Sequence, residues 1–309
     1  MRKLILATAS LAALFAASSA FAGNITTGVN GFNQNNTTPQ LSGTLLTNIK
    51  VGDKIDASAA AVGNNLSLEA NGNITISAGN LDQQNSGLQV GALIVNDSKL
   101  NKGSLEAKAI GNSISLKAGG TVDGGNNGIE QINSGPQIGA LVVNDVKASG
   151  NIDASAVAVG NAVSVDAGTD FSVYGGGFDR QTNSALQVGV ALVNDSKFGG
   201  KLDVLAQAVG NSLSTDTSTT TLQWSQRNTA PQFALAAVTD VKASGNTSIS
   251  SVAAGNLINV STNSIGQTAI FQTNFAPQVA ATYIAGSNFS ADLTAGSTAI
   301  GNSVSVKAH

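Results

Sequence analysis

The residue types that carry most protein chemistry are nearly missing from this chain. Among its 309 residues there is no cysteine, and the one histidine, His309, is the last residue. Thiolates and imidazoles supply many of the nucleophiles, proton shuttles and soft-metal ligands of proteins, so Cys/His catalysis and Cys/His zinc sites drop out. Serine and threonine are abundant, but none sits in a Gly-x-Ser-x-Gly setting with a base to activate it. The stretch VDGGNNGIE (Val122–Glu130) has the Gly/Asp flavour of the calcium turns of exported β-rolls. It occurs once and lacks the repeated form, so it reads as a plain turn. What remains is a recurring Asn-Asp-x-Lys, with Asp97 and Lys99, Asp145 and Lys147, Asp195 and Lys197, followed by Asp240 and Lys242. Two readings apply. The charges are gatekeepers that end an aggregation-prone strand, or they form a ridge that binds sugar or ions. The first is favoured. A polysaccharide-cleaving β-helix would need its acids gathered at one place, whereas here a repeat spreads them. The expectation is therefore a protein that is not an enzyme and takes no metal or cofactor.

The repeat explains the spacing. A pattern Gln-x-Asn-x-x-x-Gln begins at Gln34, Gln83, Gln131, Gln181, Gln226 and Gln272 and ends at Gln40, Gln89, Gln137, Gln187, Gln232 and Gln278. A second marker, Gly-Asn, places Asn64, Asn112, Asn161, Asn211, Asn256 and Asn302. Both markers advance together by 45 to 50 residues. The four prolines, Pro39, Pro136, Pro231 and Pro277, each precede the second glutamine, where a strand can begin without a ladder donor. The repeats are bounded as 34–82, 83–130, 131–180, 181–225, 226–271 and 272–309, within a single repeat domain 34–309 that follows a lead of residues 23–33.

Each unit has the same order. An apolar strand, such as Ile138–Val143 in QIGALVVNDVK, follows the second glutamine and runs into the Asn-Asp-x-Lys end. A Gly/Ser/Asn turn follows, then an alternating strand with Leu105, Ala107 and Ala109 on one face. Alternation at period two marks one buried and one wet face. Beyond Gly-Asn the phase reverses, with Asn112, Ile114 and Leu116 sharing a face, as a β-arc or bulge at glycine would produce. A variable segment (Ile74–Ser77, Phe171–Tyr174) closes the unit, and no segment reads as helix. The predicted fold is an all-β, repetitive β-solenoid of stacked strand–turn–strand layers, with a β-sandwich-like repeat array as the alternative. A unit of about 48 residues is twice a short solenoid coil, so the six units read as about twelve coils, a rod of roughly 55–60 Å at ~4.8 Å per layer. Stacked amides bond to the copies above and below. The recurring Gln, Asn and Gly-Asn positions are thus ladder candidates, foremost the glutamines from Gln34 to Gln272 and the asparagines from Asn64 to Asn302.

Residues 1–22 read as a secretory signal peptide. Arg2 and Lys3 lead, an apolar run Leu4–Ala17 follows, and Ala20-Phe21-Ala22 precedes cleavage before Gly23. Export by way of the periplasm to the cell surface or beyond, in association with the outer membrane, follows from that reading. Loss of Arg2 and Lys3 takes the formal charge from −3 to −5. So acidic a chain does not suit nucleic acid. Charged residues are 11% and aromatics 4%, while 42% is hydrophobic, which excludes charge-rich disorder and suits a thin, stacked architecture.

The phased glutamines and Gly-Asn pairs, the small and aliphatic alternation and the missing cysteine resemble curli-type subunits and the holdfast-anchor proteins of stalked bacteria. The resemblance implies an exported repeat protein that forms or anchors a surface fibre for adhesion or biofilm. It implies copies of itself or other fibre subunits as partners, with outer-membrane export machinery and a polysaccharide as further ones. The alternative is a soluble β-solenoid module that binds polysaccharide, and a polysaccharide-acting β-helix enzyme is a distant third.

Overall fold

A computed structural model describes residues 24–27, 31–76, 80–125, 128–173 and 179–309. The signal-peptide reading of residues 1–22 and its cleavage point before Gly23 lie outside the described residues, as do Ser77, Asn126, Asn127 and Tyr174. Among the described residues the chain is strand and turn, with no helix.

Strands pair parallel and in register with their copies one unit away. Gln137 lies beside Gln89 on one side and Gln187 on the other, and Asn161 lies between Asn112 and Asn211. Parallel pairing of every unit with the next makes a solenoid and rules out the sandwich alternative. It also corrects the layer count. Each unit is one coil, so the stack has six layers rather than twelve, and at ~4.8 Å per layer it is roughly 30 Å tall instead of 55–60 Å. The two halves of a unit are not two coils. They are two lobes of one.

Three main kinds of strand build a layer, joined by a short return segment that holds strands such as Ile74–Ile76 and Val122–Asp123. A short Q strand carries Gln-x-Asn, as in Phe32–Asn36, Leu81–Asn85, Ile129–Asn133 and Asp179–Asn183. A face strand follows: Gln40–Thr47, Gln89–Leu100, Gln137–Ala148, Gln187–Asn194, Gln232–Thr239 and Gln278–Ala285. The six face strands form one sheet. A long spine strand comes last: Lys54–Ala70, Lys102–Ala118, Ile152–Val173, Leu202–Asn228, Thr247–Asn274 and Leu293–Ala308. Spine and Q strands share the second sheet.

The spine serves both lobes because its buried side switches at Gly-Asn. Leu105, Ala107 and Ala109 are buried before the glycine, and Asn112, Ile114 and Leu116 after it, with Gly111 and Asn112 buried consecutively. The strand nevertheless continues through the switch, which is a kink rather than an arc. The first lobe packs the early spine against the face strands, with Leu93, Leu141, Val193 and Ala236 facing Leu105, Ala154, Val204 and Ile249. The second packs the late spine against the return segment and Q strand, with Ile74, Leu81, Phe171 and Trp224 at its centre. Prolines fit where predicted: the Pro136, Pro231 and Pro277 carbonyls accept from the Gln89, Gln187 and Gln232 amides, and no proline nitrogen is asked to donate.

The kink glycine is required by crowding. A Cβ on Gly160 would lie 2.5 Å from the Gly210 carbonyl oxygen and 2.6 Å from Asn183 Oδ1. Gly160→Ala is expected to cost about 1–3 kcal/mol through forced displacement of backbone and amide. Gly43→Ala, where nothing lies within 4 Å of the added atom, should stay within about 0.5 kcal/mol. Thermal unfolding followed by circular dichroism compares the two.

Candidate functional site

Where the lobes meet, the solenoid has a waist filled with amides. Four columns of side chains climb it. Asn64 Nδ2 donates to Asn112 Oδ1 at 2.8 Å, and the chain of bonds continues through Asn161, Asn211 and Asn256 to Asn302 at 2.7 to 2.8 Å. Gln83 Nε2 donates to Gln34 Oε1, and Gln131, Gln181, Gln226 and Gln272 each donate to the glutamine one layer earlier, at 2.6 to 2.8 Å. The asparagine inside the pattern makes a third ladder, Asn36 to Asn85, Asn133, Asn183, Asn228 and Asn274. The second glutamine makes the fourth, from Gln40 to Gln278. The foremost candidates read from the sequence named the first two columns. The other two lay in the same written pattern and are equally continuous.

The columns are also tied to one another. Asn85 Nδ2 donates to Gln89 Oε1 at 2.8 Å, and Gln89 Nε2 returns a bond to Asn85 Oδ1 at 3.0 Å. Asn112 and Gln131 reach across the waist to the Ile132 and Ala162 carbonyls, locking Q strand to spine. Within these four columns each Asn amide donates toward the carboxyl-terminal layers and each Gln amide toward the amino-terminal ones. Asn112, Asn133, Gln131 and Gln137 are all fully buried. A buried amide without partners is costly, so such a network is worth having only when complete.

The Asn-Asp-x-Lys ends lie elsewhere, at the corner where the face strand turns. Asp97, Asp145, Asp195 and Asp240 have φ between 43° and 54°, their first-layer counterpart Asn48 has 55°, and Gly286 holds the place in the sixth layer at 62°. Asp, Asn and Gly are the residues that enter this left-handed region at least cost. The aspartate is therefore a corner residue by conformation. Lys99, Lys147 and Lys197 follow two residues on, exposed and stacked on one another. At VDGGNNGIE, Asp123 Oδ1 accepts from the Gly125 amide at 2.9 Å, and Gly125 and Gly128 have positive φ, the geometry of a turn. Among the described residues no group of three or more His, Cys, Asp or Glu side chains is placed to hold a metal ion. His309 bonds to Ser261 on the exposed last layer.

Charge columns on the spine and Q strands perturb one another. Asp153 lies beside Asp203, and desolvation together with the Asp203 charge raises its pKa. Asp82 is raised by desolvation and by Glu130, its neighbour in the next layer. Glu130 in turn pairs with Arg180.

The architecture defines a parallel β-solenoid whose coils are held in register by internal amide ladders. A family model, that of holdfast attachment protein D, matches residues 146–309, just over half of the chain. The chain belongs to that holdfast attachment family, on the holdfast-anchor side of the resemblance and not the curli-type side. It is accordingly a surface-adhesion protein, at the cell surface or outside it. No curated protein and no solved structure matches it.

Two outcomes test this geometry. Asn183 accepts from Asn133 and Gln187 and donates to Gln187 and Asn228. Asn183→Leu strips these partners inside the waist and should cost about 2 kcal/mol or more. Asn144→Leu, in the half-exposed Asn96–Asn144–Asn194 ladder, should cost far less because water takes over; denaturant unfolding distinguishes them. A raised carboxylate pKa in the folded state means that folding takes up protons. Stability from Asp153 and Asp82 therefore falls as pH rises through the carboxylate range. Asp153→Asn should raise the melting temperature at pH 7, with the gain vanishing below pH ~3.8, where both side chains are neutral.

Proposed function

We propose that this protein is a self-assembling structural component of surface attachment, one that builds or anchors an extracellular adhesive fibre. The observation that carries the reading is the outer face of the face-strand sheet. Three columns of side chains point outward there across all six layers. The first is Leu41, Val90, Ile138, Val188, Phe233 and Val279; the third is Leu45, Ile94, Val142, Leu192, Ala237 and Tyr283; between them stand only Gly43, alanines, Val190 and Leu235. No polar side chain interrupts them. Ile94 is 42% exposed, Phe233 40% and Tyr283 56%.

Six strands by three columns make a flat apolar area of about 600 Å² at the usual sheet spacings. That is the upper end of the largest apolar patch on a typical monomer, about 300–600 Å², and two such faces pressed together would bury about 1,200 Å², the lower bound of a stable interface. A second copy is the fitting occupant because the face is a regular grid that matches itself. The ladders give a second, axial route. In the sixth layer Gln272 Oε1 receives no amide among the described residues, and Asn302 Nδ2 reaches only the Gln272 carbonyl at 3.4 Å. Both are the groups through which a further layer bonds.

Export through the envelope, with the amino-terminal signal reading behind it, belongs to the same proposal. The test is electron microscopy and light scattering on the purified full chain beside a Val142→Lys/Val190→Lys variant. Both positions point outward, so the variant should fold and melt as before. Fibres or large assemblies of the wild type that are lost in the variant support the proposal. A wild type that stays monomeric at tens of micromolar overturns it, and so do assemblies indifferent to the two lysines.

A further inference from the structure

Among the described residues the first and last coils have a neighbouring coil on one side only, and the two leave different groups open. An interior asparagine of the Gly-Asn column uses its Nδ2 twice. Asn256 donates to Asn302 Oδ1 at 2.7 Å and to the Thr273 carbonyl at 2.9 Å, both in the layer that follows. Asn302 has no such layer. Its Nδ2 reaches only the Gln272 carbonyl, at 3.4 Å, and Gln272 Oε1 receives no amide among the described residues. At the other end Asn64 Oδ1 accepts no bond among the described residues. Gln83 Nε2 donates both to Gln34 Oε1 and to the Ser113 carbonyl, whereas Gln34 Nε2 donates only to the Asn65 carbonyl and keeps one hydrogen free. The two remaining columns are closed at this end by Thr38, whose hydroxyl donates to Asn36 Oδ1 and accepts from Gln40 Nε2, both at 3.2 Å. The same position is glycine or alanine in every later layer.

The carboxyl-terminal face therefore ends in a free donor on the asparagine column and a free acceptor on the glutamine column. The amino-terminal face ends in the reverse. Each lacks what the other offers, and in the same columns.

Charge matches in the same sense. Residues 270–309 contain two charged side chains besides the terminal histidine, Asp292 and Lys307. Lys307 ends an outward column that begins at Glu69, and there Glu69 already pairs with Lys117 of the second layer at 3.0 Å. Leu293 ends the column that begins at Ile55, so Asp292 and Lys54, one residue earlier, are also equivalent. A copy stacked in register brings Lys307 over Glu69 and Asp292 over Lys54. At the corner of the stacked lysines, Asn288 follows Lys242 and separates it from Lys50 of the next copy, so no like charges meet. The core is cut open as well. Val304 is 47% exposed, while Ile258, one layer inside in the same column, is 0% exposed, and that column starts at Leu66.

We propose that the carboxyl-terminal face of one molecule receives the amino-terminal face of a second copy, so that molecules stack head to tail in the register that holds coils together within one. The inference rests on the self-assembly proposed above and assigns its axial contact. Asn302 Nδ2 then donates to Asn64 Oδ1 and the Asn35 carbonyl of the next copy, as Asn64 donates to Asn112 and to the Gln84 carbonyl beside Asn35. Gln34 Nε2 of that copy donates to Gln272 Oε1. Only this polarity continues the parallel pairing, because like faces in contact would set their strands antiparallel and part the columns. A contact between two different faces does not close, and its product is a filament along the solenoid axis.

The chain has no cysteine, so introduced thiols report the junction. Ser67 and Ser305 are exposed and share one column, in the first and last layers. Across the proposed junction their backbones stand ~4.8 Å apart, within disulfide reach. Full-length Ser67→Cys and Ser305→Cys chains are assembled alone and mixed, oxidised and run on non-reducing gels. The expected result is a disulfide dimer in the mixture and not in either variant alone, and a ladder of covalent multimers from the double variant. Added to the double variant, Asn302→Asp keeps the oxygen that accepts from Asn256 but removes the donor. It should melt as the wild type does and lower the cross-linked product at least tenfold. Asp292→Lys should lower it too, and Asp292→Lys/Lys54→Asp should restore it. Assemblies seen by electron microscopy without the mixed cross-link overturn the head-to-tail junction and leave self-assembly standing. A chain that stays monomeric overturns both. Cross-linking as strong in a single variant as in the mixture overturns the polarity, and cross-links indifferent to both Asn302→Asp and Asp292→Lys overturn the assigned contacts.

Discussion

A side-chain amide sealed inside a protein must find both donors and acceptors, and in a stack of identical coils the natural partner is its own copy one layer away. That requirement organises this molecule. Hydrophobic packing alone specifies the spacing between sheets but leaves neighbouring coils free to slip by two residues at little cost, because small aliphatic side chains look alike. An amide column does not tolerate the slip. A slip of the third coil by two residues would part Gln137 from Gln89 and Asn133 from Asn85 together. The waist therefore supplies register, and the two apolar lobes supply the bulk of the burial.

The same constraint explains where unit length is free to vary. The distance from Gly-Asn to the Q strand carbonyl that its Asn contacts is 20 or 21 residues in the second and third layers, at Asn112 and Asn161, and 16 or 17 in the fourth and fifth, at Asn211 and Asn256. The change falls in the return segment, between ladders. In the shorter layers spine and Q strand fuse into single strands, Leu202–Asn228 and Thr247–Asn274. Slack in that segment shows as the register shifts near Ala167–Asp170 and Thr220–Leu222. The amide bonds close on either side of it in every case.

Much of this was legible in the chain itself, because strand periodicity and amide spacing are local properties. The phase reversal after Gly111 could be read from Leu105, Ala107 and Ala109 against Ile114 and Leu116, and it is the feature that lets one strand line two lobes. The layer count was not legible. A 48-residue unit divides readily into two coils by length, and only the pairing of Gln137 with Gln89 shows that its halves lie side by side in one layer rather than one above the other. For Asp97 and its copies, charge drew attention to binding, whereas the backbone shows a left-handed corner, a fact carried by φ and not by any spacing.

Assigning register to the interior leaves the exterior with few structural duties. Outward columns in a solenoid of this kind need only be soluble, and several here drift among acids, bases and hydroxyls from layer to layer. Two do not drift. The face-strand columns stay apolar through six layers, at the risk of aggregation, and the lysine line stays cationic through five, against its own repulsion. Each runs against what the isolated fold would prefer, and each is repeated as often as the ladders beneath it. A feature needed once per molecule would not be copied into every coil. What such copying favours is contact with something that is itself extended and periodic, and extended contact is the physical requirement of a protein that holds a cell to a surface.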